Sequence, residues 1–302
     1  MTQPRPYNGL ADLEKMQNLL RDGLRAFPHG YMHPGDVEWW LFYNPFGDAL
    51  SAHLWEDDAG NLMGFCVTLK THVESDIFIH PSMRGTAVEG EMVDWIEAFL
   101  ISSVNAEHPN VEFGSIFANH GSLQDVFKQR GYQFQDYLAY FHKDLTNELP
   151  VAVLPEGYYF LDEMNTLYAD KRASAHLDAF IKTSRMTPDY YLDFMTHAPM
   201  YRNDADVVVV APDGQFAAFA MTWRDEFLLK GEFEPVGTRT ELQRRGLGRA
   251  AMLEGLRRMK AYGMKEASVC TGADQLDNIA FYEACGFQRM NTVLHASKRI
   301  IA

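Results

Sequence analysis

The chain has 302 residues, with 27 lysines and arginines against 41 aspartates and glutamates, and a formal net charge of −14 at pH 7. This length suggests about two domains, and a hydrophobic content of 47% is enough to bury two cores. The acidic balance argues against general nucleic-acid binding, which needs a basic surface. No basic stretch followed by an apolar run opens the chain, and no window approaches the ~18 apolar residues of a membrane span.

The three cysteines, Cys66, Cys270 and Cys285, are scattered and form no closely spaced pair. We therefore expect reduced thiols in a cytoplasmic protein. No cluster of histidine and carboxylate residues has metal-ligand spacing, so we expect no metal. The sequence leaves the oligomeric state open.

In the first half, residues 75–100 read as a strand, a turn and a helix, and the aromatic residues of segment 39–43 are expected to fill the N-terminal core. Pro150 and Pro155 then punctuate two strand-like runs. We place the join between two halves at this point.

Early in the second half, Thr187 and Pro188 form a good helix start. His176 and His197 are expected to be ordinary packing or surface residues. Four aromatic residues nearby either line a pocket or fill core, and core is the favoured interpretation: Tyr190, Tyr191, Phe194 and Tyr201.

A strand-to-helix junction follows. Residues 227–238 read as a strand, a helical pattern begins at Gly246, and Gly263 stands where a helix-ending glycine belongs. Helical spacing places three apolar residues on one face: Met252, Leu256 and Met259.

Basic residues concentrate at this junction. Residues 239–265 hold eight lysines and arginines against two glutamates, which reverses the balance of the whole chain. Gly246 and Gly248 let an anion approach the unpaired N–H groups of the first helical turn. The pattern predicts a phosphate-binding helix start, although the spacing fits neither a P-loop nor a dinucleotide fingerprint. A basic helix start with a tight turn is the alternative.

The next elements are a strand at residues 266–272 and the segment DNIAFYEACGF at residues 277–287, where Asp277 can cap a short helix and Gly286 can end it. Gln243-x-x-Gly246-x-Gly248, followed about 35 residues later by Asn278 and FYEACGF, resembles the GNAT superfamily of acetyl-CoA-dependent N-acetyltransferases. The resemblance covers residues 150–302 at these motifs and is weak before them.

The resemblance implies a binding site for acetyl-CoA. It assigns the CoA pyrophosphate to the segment Gln243, Arg244, Arg245, Gly246, Leu247, Gly248, Arg249 and Ala250. It assigns the pantetheine arm and the acetyl carbonyl to the backbone of Val236, Gly237 and Thr238, with help from Asn278. One departure from the family is Thr240, which stands where members often have proline.

The resemblance also suggests catalytic groups. Tyr282 lies where many members place the general acid for the CoA thiolate, and a phenol with a pKa near ~10 is protonated at neutral pH. A packed helix aromatic is the alternative. Glu232 and Glu234 should face one side of their strand. Glu232 is the preferred general base because some members carry one eleven residues before Gln243. Two alternatives stay open: the two glutamates form a solvated or salt-bridged strand face, or a water molecule relays the proton of the amine.

The first half contains a fainter version of the same pattern. When VFKQRGYQF (126–134) is set against FYEACGFQR (281–289), Phe127 falls opposite Tyr282, so the proposed acid is missing. With Arg84 opposite Gln243, the two glycine positions fall on Ala87 and Glu89, and a glutamate would repel a pyrophosphate. An alternative register places Ser82, Gly85 and Ala87 in the motif.

We therefore predict an α/β protein of two tandem GNAT-like domains, each a mixed, mostly antiparallel sheet flanked by helices. Residues 1–150 form a degenerate domain that has lost CoA binding, and residues 151–302 form the catalytic domain. The layout resembles tandem-GNAT enzymes such as mycothiol synthase, without implying that substrate. The implied function is acetyl transfer to a small-molecule amine. The alternatives are an unrelated N-terminal α/β domain and a non-catalytic acyl-CoA-binding sensor or interaction module.

Overall fold

The computed structural model describes residues 3–301. The first half contains, in chain order, β1 (Arg5–Pro6), α1 (Leu10–Ala26), α2 (Pro34–Phe42), β2 (Leu50–Glu56), β3 (Leu62–Leu69), β4 (Glu74–Ile79), α3 (Ala87–Ile101), β5 (Asn110–Phe117), α4 (Gly121–Gln129) and β6 (Gln133–Asp144).

The second half contains β7 (Tyr159–Phe160), α5 (Ala169–Ala179), α6 (Pro188–His197), β8 (Asp206–Val210), β9 (Phe216–Asp225), β10 (Lys230–Thr238), α7 (Leu247–Ala261), β11 (Glu266–Gly272), α8 (Leu276–Ala284) and β12 (Gln288–Arg299). Among residues 3–301, no helix is both long enough and apolar enough to cross a membrane.

The two halves repeat one order of elements: strand, two helices, three strands, helix, strand, helix, strand. Two pairs of corresponding elements have equal lengths: α3 and α7 each have 15 residues, and β6 and β12 each have 12. Within the described strands, β4–β5 and β10–β11 pair parallel and the other pairs are antiparallel. The predicted tandem α/β architecture is confirmed, because the first half repeats the element order of the second.

The halves exchange their last strands. Over residues 3–301 the twelve strands form one sheet, in the order β1-β2-β3-β4-β5-β12-β6-β11-β10-β9-β8-β7. Thus β12 of the second half pairs with β5 of the first, while β6 of the first half pairs with β11 of the second. A cut near residue 150 divides the chain but not the sheet. The sheet of each half is completed by a strand that the other half supplies.

Helix α2 also crosses between the halves. Its N-terminus lies against β9, where a β-carbon on Gly35 would come within 2.5 Å of the Trp223 ring. Trp39 packs edge-on against Phe194 of α6, with ring centroids 5.2 Å apart. The prediction that segment 39–43 fills the N-terminal core is therefore only partly right, because Trp39 lies in a core cluster built mainly by the second half.

The connection between the halves is less regular than expected. Strand β6 ends at Asp144 and the next strand, β7, spans only Tyr159–Phe160. Val151 and Val153, between Pro150 and Pro155, are largely exposed and form no strand.

Candidate functional site

The strand-to-helix junction has the predicted geometry. Strand β10 ends at Thr238, one turn of 3-10 helix follows, and α7 begins one residue after Gly246. Gly246 is the N-cap residue with a φ of 81°, a left-handed conformation that glycine adopts without steric cost. No side chain within residues 3–301 caps this helix start, so its first N–H groups are available to an anion.

The remaining predictions for α7 are confirmed. The three apolar residues predicted on one face, Met252, Leu256 and Met259, are fully buried. Gly263 follows the helix with a φ of 91°, as expected of a helix-ending glycine.

Gly248 sits in the first turn of α7, close to two neighbouring elements. A β-carbon there would come within 2.8 Å of Thr238 Oγ1 and 3.7 Å of the Phe281 ring. The missing side chain therefore leaves space between the end of β10 and the Phe281 ring of α8.

A cavity of about 590 Å³ occupies that space. Its lining includes most of the predicted site residues: Val236, Gly237, Thr238, Gln243, Arg244, Gly246, Leu247, Gly248, Arg249, Asn278 and Tyr282. Four predicted residues lie outside the lining: Arg245 is exposed, Ala250 is buried, and Glu232 and Glu234 lie earlier on β10. Sequence reasoning missed other lining residues, among them Phe180 at the end of α5.

The rim of the cavity carries exposed positive charge. Arg244 Nη2 lies 3.1 Å from Asp277 Oδ2, but both side chains are more than four-fifths exposed. Exposed ion pairs contribute little, typically 0–1 kcal/mol, so Arg244 can turn towards an anion. Arg249 is also exposed on this rim.

Helix α8 closes the other side of the cavity. It begins at Leu276 with Gln275 at the N-cap, so the expectation that Asp277 caps it is wrong: Asp277 lies in the first turn instead. Asn278 Nδ2 donates to Gln275 Oε1 at 2.6 Å and to Thr271 Oγ1 at 3.2 Å. These contacts hold the Asn278 amide beside the end of β11.

Tyr282 lines the cavity from α8 and is only 7% exposed. Its ring lies against Phe281 and Phe141, with centroid distances of 5.2 and 6.0 Å. Burial, followed by the charge of Glu234, raises the pKa of its phenol well above the usual value. The residue is both a packed aromatic and a phenol that stays protonated at neutral pH.

Strand β10 separates the two predicted carboxylates. The register against β9 shifts between Phe233 and Val236, so one extra residue bulges near Glu234 and the simple alternation is lost. Glu232 is 2% exposed and Glu234 is partly exposed, and neither is among the cavity-lining residues.

The electrostatics of the two glutamates also differ. Burial and the nearby Asp36 carboxyl raise the pKa of Glu232 well above its usual value. Burial and the same carboxyl raise the pKa of Glu234 to about 8. At neutral pH Glu232 therefore holds its proton firmly, while Glu234 is poised to exchange one.

The corresponding helix start in the first half is built differently. The N-cap of α3 is Thr86 with a φ of −98°, so the helix starts align Thr86 with Gly246 and Val88 with Gly248. This alignment falls between the two registers predicted from sequence. In all three alignments, a residue with a side chain stands opposite Gly246, Gly248 or both.

Glu89 occupies the inside of this N-terminal junction. It is 1% exposed, and its Oε1 accepts hydrogen bonds from His120 Nε2 at 2.7 Å and Ser122 Oγ at 3.0 Å. The carboxylate thus joins the starts of α3 and α4. Phe127, which corresponds to Tyr282, is fully buried and has no hydroxyl.

The segment 165–203 is mainly structural. Thr187 caps α6 as predicted, through Oγ1 and the Tyr190 N–H. The core interpretation fits its buried aromatics, Tyr191, Phe194 and Tyr201, but Tyr190 is 39% exposed. His176 is buried beside Ser184 Oγ at 2.7 Å, and His197 is exposed.

One group of side chains has the composition of a metal site. Glu74, Glu112 and His295 bring possible ligand atoms within 4.8 Å of one another. They lie on β4, β5 and β12, apart from the cavity lining. Sequence spacing could not reveal this group because its members come from distant parts of the chain. The prediction of no metal remains a prediction.

The chain is similar in sequence to known acetyltransferases. The sequence profile of the Acetyltransferase (GNAT) family matches residues 167–287. A curated relative, the mycothiol acetyltransferase of Paenarthrobacter aurescens (strain TC1), is 24% identical over 252 residues, covering 78% of this chain and 73% of that protein.

Solved structures match nearly the whole chain. A GCN5-related N-acetyltransferase from Sphaerobacter thermophilus superposes with a TM-score of 0.69 at 19% identity, covering 99% of this chain and 96% of the other. A tandem GNAT protein from the clavulanic acid biosynthesis pathway gives a TM-score of 0.70 at 13% identity, covering 98% of both chains. At these identities the structures establish the shared tandem fold.

Proposed function

We propose that the chain, a GNAT-type acyltransferase whose residues 167–287 match the profile of that family, moves an acetyl group from acetyl-CoA directly to an amine. No covalent enzyme intermediate is involved. The observation that carries this proposal is one cavity that joins an uncapped, glycine-rich helix start, Gly246 to Gly248, to the buried phenol of Tyr282.

The residues around the cavity fit the acyl donor. The backbone N–H groups between Arg244 and Arg249 bind the pyrophosphate, and the positive charge of Arg244 and Arg249 favours an anion there. The backbone of residues 236–238 and the amide of Asn278 hold the pantetheine arm. Acetyl-CoA supplies an acetyl group activated as a thioester.

Tyr282 is the general acid. As the amine attacks the carbonyl carbon and the C–S bond breaks, negative charge develops on the sulfur. The Tyr282 phenol remains protonated at neutral pH because burial raises its pKa, and it donates that proton to the leaving thiolate.

Glu234 is the base that takes the proton from the attacking amine. Its pKa of about 8 makes it an effective acceptor near neutral pH, and it is partly exposed beside the bulge of β10. Glu232, the base preferred from sequence, is less suitable because its buried carboxyl keeps its own proton. A water molecule can relay the proton to Glu234.

Residues 151–302 form the catalytic domain and residues 1–150 bind no CoA. The hydrogen bonds of Glu89 to His120 and Ser122 support the second assignment, because a buried carboxylate at the start of α3 repels a pyrophosphate. The acceptor is a small-molecule amine, and the three free thiols fit a cytoplasmic protein.

Release of CoA from acetyl-CoA by the full chain, measured across a panel of amines, tests the proposal. The panel includes amino acids, amino sugars, a peptide N-terminus and the acceptor of the mycothiol acetyltransferase relative. Amine-dependent CoA release with a stoichiometric N-acetylated product is expected. Binding of acetyl-CoA without turnover on any amine would instead favour a non-catalytic acyl-CoA sensor.

A further inference from the structure

Glu74, Glu112 and His295 come together from three strands at the place where the two halves of the chain exchange partners. Glu74 begins β4 and pairs with Glu112 on β5, the parallel neighbour of that strand. His295 lies on β12, which the second half contributes to the sheet beside β5. The possible ligand atoms of the three side chains lie within 4.8 Å of one another. This group therefore joins one strand of the second half to two strands of the first.

The second half of the chain has a lysine where the first half has Glu74. Lys230 begins β10 and pairs with Glu266 on β11, just as Glu74 begins β4 and pairs with Glu112 on β5. Because the two halves repeat one order of elements, the two cross-strand pairs occupy equivalent positions. One pair joins a cation to a carboxylate, whereas the other joins two carboxylates.

The histidines of the two halves are equivalent as well. Each lies on the antiparallel strand beside the second carboxylate, two residues before the residue that pairs with that carboxylate: His142 on β6 beside Glu266, and His295 on β12 beside Glu112. His142 Nε2 is 2.7 Å from Glu266 Oε2, and His295 Nε2 is 3.5 Å from Glu112 Oε2. The two groups thus have the same arrangement and differ in their third member, which is lysine in one half and glutamate in the other.

The exchange of lysine for glutamate removes a positive charge from the group in the first half. In the second half, Lys230 Nζ lies 3.5 Å from Glu266 Oε2. Among residues 3–301, the ion-pair partners of Glu74 and Glu112 are histidines, with no lysine or arginine. Two neighbouring carboxylates repel each other, so a cation bound between them would supply the charge that Lys230 supplies in the other half.

His295 directs a ring nitrogen at the two carboxylates. The residue is 9% exposed, and its Nε2 forms no hydrogen bond within residues 3–301. Its Nδ1 faces the side-chain amide of Gln135 at 3.4 Å, and the Tyr137 ring packs against the imidazole with a centroid distance of 5.3 Å. When the amide oxygen of Gln135 faces the ring, Nδ1 carries the proton and Nε2 offers its lone pair to a cation, as is usual for a metal-bound histidine.

The distances and the donor atoms suit a transition-metal cation. Bonds from zinc to nitrogen and oxygen are about 2.0–2.2 Å long, which places two ligand atoms of one ion about 3–3.5 Å apart. The distance of 3.5 Å between His295 Nε2 and Glu112 Oε2 already fits. One imidazole with two carboxylates favours Zn²⁺ and similar ions over Mg²⁺ and Ca²⁺, which prefer oxygen ligands alone. The Glu74 side chain is 44% exposed, so a cation can reach the group from solvent.

We propose that Glu74, Glu112 and His295 bind one divalent transition-metal cation of the Zn²⁺ class, which ties β12 of the second half to β4 and β5 of the first. The role of this cation is structural, because the group lies apart from the lining of the acyl-donor cavity. The proposal departs from the expectation of no metal, which considered only spacing along the sequence.

Calorimetric titration of the full chain with Zn²⁺, after removal of bound metal with a chelator, tests the proposal. One ion per chain should bind saturably to the wild type. Glu74→Gln and His295→Gln should each weaken this binding by about tenfold or more, because a direct ligand is lost. Asp193→Asn is the matched control: Asp193 forms an exposed pair with His197, at 2.9 Å, and its loss should leave the affinity for Zn²⁺ unchanged.

Glu74→Lys copies the arrangement of the second half into the first. Its lysine should supply the positive charge itself, so this variant should bind no Zn²⁺ at the group. The Tm of the metal-free variant should exceed that of the metal-free wild type, since two carboxylates no longer face each other. Zn²⁺ should raise the Tm of the wild type and leave that of Glu74→Lys in place.

Two results would overturn the proposal. One is Zn²⁺ binding to the wild type that does not saturate, and the other is binding that keeps its full affinity in Glu74→Gln, His295→Gln or Glu74→Lys. These measurements use neither acetyl-CoA nor an amine. Failure of the proposed function would therefore leave the metal site intact, and failure of the metal site would leave the proposed function intact.

Discussion

Gly248 lies so close to Thr238 that a β-carbon on the glycine would come within 2.8 Å of the threonine Oγ1. Because Gly248 has no side chain, the start of α7 stays open beside the end of β10. Gly248→Ala should therefore weaken acetyl-CoA binding about tenfold, or about 1.4 kcal/mol, because the methyl group enters the cavity. Calorimetric titration measures the change.

Gly121→Ala is the matched control for that substitution. Gly121 begins α4, and a β-carbon there would meet no atom within 4 Å. The Gly121→Ala variant should bind acetyl-CoA with the affinity of the wild type. Unchanged affinity in Gly248→Ala as well would show that the cavity is not the binding site.

Tyr282→Phe should lower kcat by a factor of about 10²–10⁴, the usual contribution of a general acid. The Kd for acetyl-CoA should change little, because the ring still fills its place among Phe281 and Phe141. Steady-state kinetics and calorimetry together separate the two effects. Tyr159→Phe, which removes an exposed hydroxyl, should behave as wild type, and equal turnover in both variants would remove Tyr282 from the mechanism.

The pH dependence should report the ionisation of Glu234. A base works only when deprotonated, and the pKa of this carboxyl is raised to about 8. With a non-titrating acceptor, kcat/KM should therefore fall about tenfold per unit as the pH drops below 8. Glu234→Gln should abolish this limb and reduce the rate at high pH, whereas a profile that keeps its limb would assign the limb to another group.

Glu89 should matter for folding but not for the donor site. Removing its carboxylate leaves buried His120 and half-buried Ser122 without their acceptor. Glu89→Ala should lower the free energy of unfolding by about 2 kcal/mol, as measured by chemical denaturation, and leave acetyl-CoA affinity unchanged. Glu91→Ala on the same helix, a partly exposed residue, should have little effect on either quantity. Loss of acetyl-CoA binding in Glu89→Ala would place a donor site in the first half.

The sequence predicts the parts of the site whose conformation is decided locally. Gly246 marks the helix start because a left-handed φ favours glycine, and the buried face of α7 follows from its 3.6-residue period. The same local signals identify α8 to within a residue or two, although Asp277 was wrongly assigned as its cap.

Long-range contacts explain what the sequence does not predict. The exchange of β6 and β12 depends on pairing between strands more than a hundred residues apart, which no local pattern encodes. The bulge after Phe233 breaks the two-residue period and places Glu232 and Glu234 in different surroundings. His295 could not be linked to Glu74 from sequence, because their proximity depends on the exchange of β12.

The central claim is that one helix start per chain binds the acyl donor. Calorimetric titration of the full chain with acetyl-CoA tests it most directly. Saturable binding with one site per chain, lost in a variant that combines Gly246→Val with Gly248→Val, is the predicted result. Two sites per chain would contradict the assignment of the first half, and no binding at all would contradict the proposed function.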